Sequence, residues 1–433
     1  MFNDFVELFR LIRTIFFDYY GWVFFVYALG QMFYLLYMDY IQLRWYSTLE
    51  WNFVKVAVPR ENEKSPITFE HILNQMHSVH GHLTPAEKYL EGEFHIWFVW
   101  EVTSIGGEIG NYVRVLKKHR DLLEAAVYSQ FPEAEITDVP DYFESLPKYH
   151  TDTSSFDIFA FSFRYVKAPY YPMRTYYDFE HAAAETIVDP ITGMWEELGK
   201  LSPYEMYIVQ FVLRPISDEE WKEEGRELVQ KLKGVPQKHK RNLLLAVLNA
   251  VFGTIIDEVF IRPETEHPRP PKEQPPSLML HLSEGEKDVI NAVEKKMGRW
   301  GYQTKIHCLY IAPREKYNPG VINGAVVGAF KAYGSGNINA LKPLLRRWTK
   351  VHYWVLQKWE KPIVELRLKF RKRKYMRLIR TRWYFHGPPP NIMSTEEIAS
   401  VLHFPQIEVT VPNIAKVAVA KVQPPPELPV AEP

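Results

Sequence analysis

A run of basic side chains near the C-terminus is the strongest chemical signal in this sequence. Nine of the sixteen residues from Arg367 to Arg382 are Lys or Arg. Such groups can neutralise the phosphates of a nucleic acid or of an anionic lipid surface. A third interpretation is a charged strand or helix face that touches an acidic protein surface. The candidate phosphate-binding residues are Arg367, Lys369, Arg371, Lys372, Arg373, Lys374, Arg377, Arg380 and Arg382.

Residue types that build catalytic or metal sites give weaker signals. The sequence contains no G-x-x-x-x-G-K-[ST] string to cradle phosphates and no G-x-S-x-G nucleophile elbow. Cys308 lies in a predicted central strand and is expected to be a buried, inert thiol. Neighbouring histidines lack a metal-binding motif and are favourable near a helix C-terminus without a metal. These histidines are His71, His77, His80 and His82. We therefore predict no catalytic residues, no cofactor and no metal site.

The composition narrows the class of protein. The 433 residues contain 52 Lys plus Arg and 52 Asp plus Glu, so the formal net charge is zero. This balance excludes a globally basic nucleic-acid binder and an acidic disordered chain. A single cysteine excludes an intramolecular disulfide and a zinc site built from cysteines. Aromatic residues make up 15% of the chain, which favours extensive sheets, a membrane interface, or both.

An apolar segment near the N-terminus predicts a membrane anchor. The residues from Tyr19 to Met38 contain one strongly polar side chain, Gln31. Twenty helical residues span about 30 Å, the thickness of a bilayer core. We therefore predict a single-pass protein of the cell membrane, in contact with lipid and with its main body in the cytoplasm. A buried or interfacial helix is the alternative, and the flanking charges do not decide the orientation.

The next segments alternate between strand and helix patterns. Their order is β-α-β-β-α-β, which predicts a ferredoxin-like unit. The predicted elements are a strand at Trp51–Val58, a helix at Pro66–Val79, strands at Phe94–Val102 and Ile109–Leu116, a helix at Lys117–Gln130 and a strand at Ala134–Val139.

The same order is predicted a second time, which indicates an α+β fold with duplicated ferredoxin-like units. An insertion with charged helices and a Pro-rich linker, Arg262–Ser277, interrupts this unit. The predicted elements are strands at Phe156–Tyr165, Glu205–Leu213, Leu278–Leu282 and Thr304–Ala312, with helices at Pro190–Leu198 and Glu284–Trp300, the second capped by Ser283.

These patterns divide the chain into four predicted regions. The first region, 1–45, contains the N-terminal tail and the transmembrane helix. The two ferredoxin-like units occupy 46–150 and 151–333, and a further helix at Val321–Tyr333 is expected to pack on the second sheet. The last region, 334–433, contains the basic run and a Pro-rich tail. Exposed edges of the predicted sheets favour a homo-oligomer.

Several long strings resemble a known bacterial domain. The longest is VTSIGGEIGNYVRVLKKHRDLLEAAVYSQFPEAEI, from Val102 to Ile136. The others are Val56–Gly81, Asp189–Pro215, Thr304–Asn318 and Ser394–Pro405. Together they resemble an uncharacterised domain that precedes the ATPases of type IV secretion and conjugative DNA transfer, common in candidate-phyla bacteria.

The resemblance implies a membrane-anchored module of duplicated ferredoxin-like units between a membrane pore and its motor. The chain ends at Pro433, where a fused protein would continue into a nucleotide-binding domain. The expected partner is therefore a separate P-loop ATPase, with DNA as a further partner through the basic run. We expect a non-enzymatic component of such a transfer system. The alternative is a membrane-tethered nucleic-acid-binding protein with no role in secretion.

Overall fold

The computed structural model describes most of the chain. The described ranges are 21–59, 64–146, 149–180, 189–218, 221–233, 283–344, 349–350 and 357–405, with four separate positions before residue 15. Several predicted elements lie outside these ranges. They include the strand Leu278–Leu282, the Pro-rich linker Arg262–Ser277 and the Pro-rich tail after residue 421.

One nine-stranded sheet forms the centre of the described chain, and every pairing in it is antiparallel. The strand order is β4-β1-β3-β2-β6-β7-β5-β8, and β9 pairs with one end of β7. The strands are β1 (Trp51–Ala57), β2 (Phe98–Ile105), β3 (Glu108–Leu116), β4 (Glu135–Asp138), β5 (Phe156–Tyr165), β6 (Met206–Ile216), β7 (Gly301–Pro313), β8 (Leu341–Pro343) and β9 (Asn391–Ser394).

The strands of the two predicted units belong to this single sheet, so the prediction of duplicated ferredoxin-like units is wrong. β2 from the first unit pairs with β6 from the second, from Phe98 opposite Leu213 to Ile105 opposite Met206. The predicted last strand, Thr304–Ala312, is part of β7 and lies between β6 and β5. Its side chains are buried on both faces, as expected for a strand in the centre of a covered sheet.

Helices of very different lengths accompany the sheet. Those with described bounds are α1 (Gly21–Ser47), α2 (Ile67–Met76), α3 (Arg120–Gln130), α4 (Tyr142–Ser145), α5 (Tyr176–Glu180), α6 (Thr192–Gly199), α7 (Lys222–Leu232), α8 (Glu284–Met297), α9 (Gly320–Ala332), α10 (Gln357–Thr381) and α11 (Thr395–Val401). Ser283 caps α8 as predicted, since its hydroxyl accepts from the Glu286 N–H and Glu286 reaches back to the Ser283 N–H.

The helices cover the two faces of the sheet unequally. Side chains of α2, α3, α6, α9 and α11 form one apolar core with alternate residues of the strands. All of the basic run except Arg382 lies in α10, which packs on the opposite face against alternate residues of β5, β6 and β7. Because successive strand residues point to opposite faces, each strand contributes to both layers.

The predicted transmembrane helix is a second correction. Helix α1 contains most of the apolar segment, yet no helix among the described residues is long and apolar enough to cross a membrane. Tyr27, Tyr34, Tyr37 and Gln31 carry polar atoms, which lowers the hydropathy of the helix. The predicted single-pass span, and the membrane localisation inferred from it, are therefore wrong.

The C-terminal end of α1 packs on the body. Side chains described between Trp22 and Tyr37 are exposed, whereas Met38 and Ile41 are buried. Gly92, with φ of 80°, approaches this end so closely that a Cβ atom there would lie 2.5 Å from the Ile41 carbonyl carbon. The Gly92 backbone therefore contacts the backbone of α1 directly.

Candidate functional site

Helix α10 is held on the sheet by its apolar face. Tyr375, Met376, Leu378 and Ile379 are buried there against strand residues such as Ile208. The apolar residues at 375, 376 and 379 recur at helical spacing, which places one stripe of the helix on the sheet. The other side chains of the run within α10 therefore lie at the edges of this contact or face solvent.

Three of the nine predicted phosphate-binding residues instead form ion pairs with the body. Lys369 pairs with Asp152 at 2.7 Å, and Lys372 pairs with Asp157 at 2.6 Å. Arg382 is 2% exposed and is paired inside the protein. These three cations bind the helix to the body, so their charges are already balanced.

Other residues of the run form an exposed basic stripe, which we define as Lys374, Arg377 and Arg380. Lys374 and Arg377 are exposed and Arg380 is half-buried. They lie on successive turns, three residues apart, so their side chains are neighbours on the helix surface. Within the described ranges, none of the three forms an ion pair with a carboxylate. Their positive charge therefore faces solvent without a balancing anion.

The other members of the run are dispersed. The Arg373 Nε–H donates to Thr151 Oγ1 at 3.0 Å, and Arg373 is exposed. Arg367 is exposed one turn before Arg371, which is half-buried. The sequence treated all nine cations as one surface, whereas the helix distributes them between ion pairs and solvent.

A row of polar side chains crosses the sheet beneath α10, which sequence reasoning missed. These residues lie directly opposite one another in successive strand pairings, so their side chains share one face. We call this row the polar belt, and it consists of Lys55, Tyr112, Glu101, Gln210, His307 and Ser162.

Glu101 is the anchor of the belt. Its carboxylate accepts two hydrogen bonds from the Arg382 guanidinium, at 2.8 Å from Nε and 3.0 Å from Nη2. It also accepts from Tyr142 Oη and Gln210 Nε2, both at 2.6 Å. Burial alone would lower the pKa of Arg382, but the charge of Glu101 and the Asp141 contact raise this pKa well above its usual range. The guanidinium is therefore permanently charged and fully partnered.

The backbone at Arg382 is unusual. Its φ is 54°, a left-handed value that is uncommon for a residue with a side chain. The ring of Phe53 lies 4.6 Å from the guanidinium carbon, and Trp97 Nε1 donates to the Arg382 carbonyl at 3.0 Å. These contacts and the ion pairs stabilise a conformation that costs about 1–3 kcal/mol.

Ser162 and His307 form a pair that resembles part of a hydrolytic site. Their side chains lie 2.8 Å apart, from Ser162 Oγ to His307 Nδ1, and Tyr375 Oη is 3.2 Å from the same hydroxyl. Both are buried, and burial lowers the pKa of His307 to about 3. Cys308 is also buried, as predicted, and burial raises the pKa of its thiol. Ser162, His307 and Cys308 are each no more than 1% exposed.

The predicted histidine cluster does not assemble a metal site in the described part of the chain. His77 Nε2 lies 3.1 Å from the Ile216 carbonyl, and its ring stacks on Trp300 at 4.7 Å. His80 stacks on His95 at 4.3 Å. Among the described residues, no group of three or more His, Cys, Asp or Glu side chains could hold a metal ion.

A second ionic cluster joins α8 to α11 on the other side of the molecule. Lys296 and Glu397 are both buried and pair at 2.9 Å. Burial lowers the pKa of Lys296 although the Glu397 charge opposes this shift. Glu397 also caps α11, because its carboxylate accepts from the Ser394 N–H at 2.9 Å. The charges of this cluster therefore fix the position of α11 in the fold.

A cavity of about 790 Å³ lies where α1 meets the end of α10. Two residues of the basic stripe, Arg377 and Arg380, line it together with Arg114 from β3. We call it the α1–α10 pocket, and its other lining residues are Asp39, Gln42, Leu43, Tyr46, Asp141, Thr381, Arg382, Trp383, Phe385 and His386. The basic stripe therefore continues into a concave site with aromatic walls.

Comparisons with known proteins do not extend this description. No protein-family model matches the chain, and no curated protein matches it. The resemblance to a domain of DNA-transfer systems therefore stays a prediction, as do the separate ATPase, DNA and a second copy of the chain as partners.

Proposed function

We propose that the protein is a non-enzymatic component of a type IV secretion or conjugative DNA-transfer-like system. In this role it binds DNA along the basic stripe of α10 and docks a separate P-loop ATPase. The basic stripe is the observation that carries the proposal, because Lys374, Arg377 and Arg380 lie on one helix surface and form no ion pair with any described carboxylate. The resemblance to a domain of DNA-transfer systems is the reason for proposing such a system.

The energetic argument for DNA is electrostatic. Each phosphate neutralised by a Lys or Arg releases condensed counterions, which favours binding and makes it dependent on salt. Lys369, Lys372 and Arg382 do not contribute, because carboxylates of the body already pair with them. Binding through the stripe is therefore expected to be modest and sequence-independent.

The absence of catalysis in this proposal is supported by the position of the chemically active groups. Ser162 is 0% exposed and His307 is 1% exposed, so neither can reach a substrate. Nearby Cys308 is 0% exposed and its thiol has a raised pKa. A separate motor would supply any nucleotide hydrolysis.

Helix α1 supports the docking part of the proposal. Its exposed apolar side chains include Phe33 at 71% and Leu29 at 58% exposure. A contiguous exposed apolar surface of this kind marks an interaction site. A protein partner that covers α1 would remove this surface from water.

The DNA part is tested with a charge-removal variant. We expect Lys374→Gln, Arg377→Gln and Arg380→Gln together to weaken binding to a 20-base-pair duplex. The slope of log K against log salt should fall by roughly 0.9 for each phosphate that the variant no longer neutralises. Fluorescence anisotropy at several salt concentrations measures both quantities.

A control with the same net charge replaces three exposed lysines outside α10, Lys118, Lys231 and Lys331, with Gln. It should retain the parental affinity and salt slope. Equal losses in the two variants, or none in the stripe variant, would show that DNA does not bind at the stripe.

The docking part is tested by co-purification with a P-loop ATPase encoded beside this protein. Leu29→Glu with Phe33→Glu should abolish retention of the ATPase. Ile363→Glu with Leu366→Glu, at two residues of similar exposure on α10, is the control and should retain it. Retention by the α1 variant would refute docking through this helix.

A further inference from the structure

The α1–α10 pocket combines cations and exposed aromatic rings in one cavity. We infer that it binds a phosphorylated nucleoside, either a free nucleotide or the 5′-phosphorylated end of a single strand. This inference deepens the proposed function and rests on it, because Arg377 and Arg380 belong both to the basic stripe and to the pocket.

The charges of the pocket favour a phosphate. Arg377 and Arg380 line it without an ion-pair partner in the described ranges. Arg382 contributes no free charge, since Glu101 and Asp141 both pair with its guanidinium and together carry one negative charge more than it does. The remaining carboxylate of the lining is Asp39, which is exposed. The lining as a whole has four guanidinium groups, Arg114, Arg377, Arg380 and Arg382, against two carboxylates, Asp39 and Asp141.

Arg114 is the third cation, and it is already oriented. Its guanidinium lies 4.3 Å from the ring of Trp51. Nη1 donates to the Thr381 carbonyl at 3.2 Å, and Nη2 donates to Tyr46 Oη at 3.4 Å. A guanidinium held by stacking and by neutral acceptors loses little conformational entropy when it binds a phosphate.

The aromatic wall favours a nucleobase over phosphate alone. Phe385 is 45% exposed although two buried rings hold it edge-on, Phe94 at 5.1 Å and Trp97 at 5.9 Å. Trp383 is half-buried beside it, with ring centroids 5.6 Å apart. Such a fixed, partly exposed ring is the type of surface on which single-stranded bases stack.

The size and the mixed lining fit one nucleotide unit. A volume of about 790 Å³ lies within the range of small-molecule sites, which is roughly 300–1,000 Å³. The phosphate would contact Arg377 and Arg380, and the base would stack on Phe385. The carboxylate of Asp39 can accept hydrogen bonds from the hydroxyls of the sugar.

The test uses two probes with the full-length protein, ATP and a 5′-phosphorylated thymidine tetranucleotide. Isothermal titration calorimetry measures the affinity of each. Phe385→Ala should weaken binding by about tenfold or more, in line with the loss of one stacked base. Phe385→Tyr keeps an aromatic ring and should restore it. Far-ultraviolet circular dichroism checks that each variant folds.

Lys374→Gln separates the pocket from the stripe, because Lys374 belongs to the stripe but does not line the pocket. It should lower duplex affinity and leave the binding of both probes unchanged, whereas Phe385→Ala should do the reverse. Loss of duplex binding at the stripe and loss of probe binding at the pocket are therefore observed independently.

Binding of ATP alone assigns a free nucleotide as the ligand, and binding of the tetranucleotide alone assigns a strand end. Either result supports the inference if Phe385→Ala weakens the binding of that probe. Failure of both probes to bind, or equal affinity of the parent and Phe385→Ala, would overturn it.

Discussion

The two faces of the sheet are built from the same strands but are stabilised by different interactions. On one face, residues such as Phe161, Val209 and Cys308 form an apolar core under several short helices. On the other face, the polar belt lies under the single long helix α10. Gln210 and His307 belong to this belt and are as inaccessible as the apolar residues beside them. Burial is therefore similar on the two faces, while the interactions that stabilise them differ.

This difference determines which substitutions destabilise each face. An apolar core loses stability in proportion to the volume removed and does not respond to pH. A buried polar row depends on complete pairing, and an unpaired member costs about 1–3 kcal/mol. Gln210 Oε1 and His307 Nε2 have no hydrogen-bond partner among the described residues, and they lie opposite each other in the β6–β7 pairing.

The largest expected effect is on the polar face. Glu101→Gln should reduce the free energy of unfolding by about 3–5 kcal/mol, because it leaves the buried Arg382 guanidinium partly uncompensated. Urea unfolding measures the change, and a double-mutant cycle with Arg382→Met isolates the pair. Lys117→Gln, at the exposed Lys117–Glu50 pair, is the control and should leave the transition unchanged. A loss at Glu101 no larger than in this control would remove the distinction between the faces.

The second effect is a pH dependence at His307. Its pKa is about 3 in the folded protein and about 6.5 in the unfolded chain, so below pH 6.5 the unfolded state binds the extra proton. Stability should fall by about 2 kcal/mol between pH 8 and pH 5 from this residue alone.

His307→Gln removes that titration and should flatten the acid side of the stability curve relative to the parent. The difference between the two curves is needed because burial also lowers the pKa of His95, to about 4, with the same sign. Parallel curves for parent and variant would mean that the imidazole is not held neutral by burial.

The smallest effect is expected on the apolar face. Ile306→Val, beside His307 in β7 but on the opposite face, should cost about 1 kcal/mol because it removes a single methylene. The loss should be equal at pH 8 and pH 5, since no charge is involved. A pH-dependent loss at Ile306 would indicate that the two faces are coupled through β7.

Sequence patterns predicted several local elements well. The strand Phe156–Tyr165 was predicted with its observed ends. The helix predicted at Glu284–Trp300 has the predicted cap, Ser283, but the observed helix ends three residues earlier, at Met297. Alternation and capping are local signals, which a single sequence displays. The pairing of β2 with β6 was not predictable, because it joins segments about a hundred residues apart and depends on tertiary packing.

The polar face was harder to predict from the sequence. Glu101, Gln210 and His307 each interrupt a hydrophobic strand by one residue, and nothing local indicates that they face one another. The basic run was recognised, but its helical phase decides which cations pair with Asp152 or Asp157 and which stay exposed. The α1–α10 pocket brings together residues from four separate segments, so its signal is spatial and absent from the sequence order.

The close backbone contact between Gly92 and Ile41 fixes one end of α1, so a force on the other end would turn the whole helix about this contact. The helix has 27 residues and is about 40 Å long, with its fulcrum at this contact. Met38 and Ile41 are buried at the same end, and Trp45 Nε1 donates to Glu93 Oε1 at 3.1 Å, so backbone and side-chain contacts together fix this end of the helix. A load applied at Phe33 would therefore be transmitted as torque to Tyr46 and to the wall of the cavity that it lines.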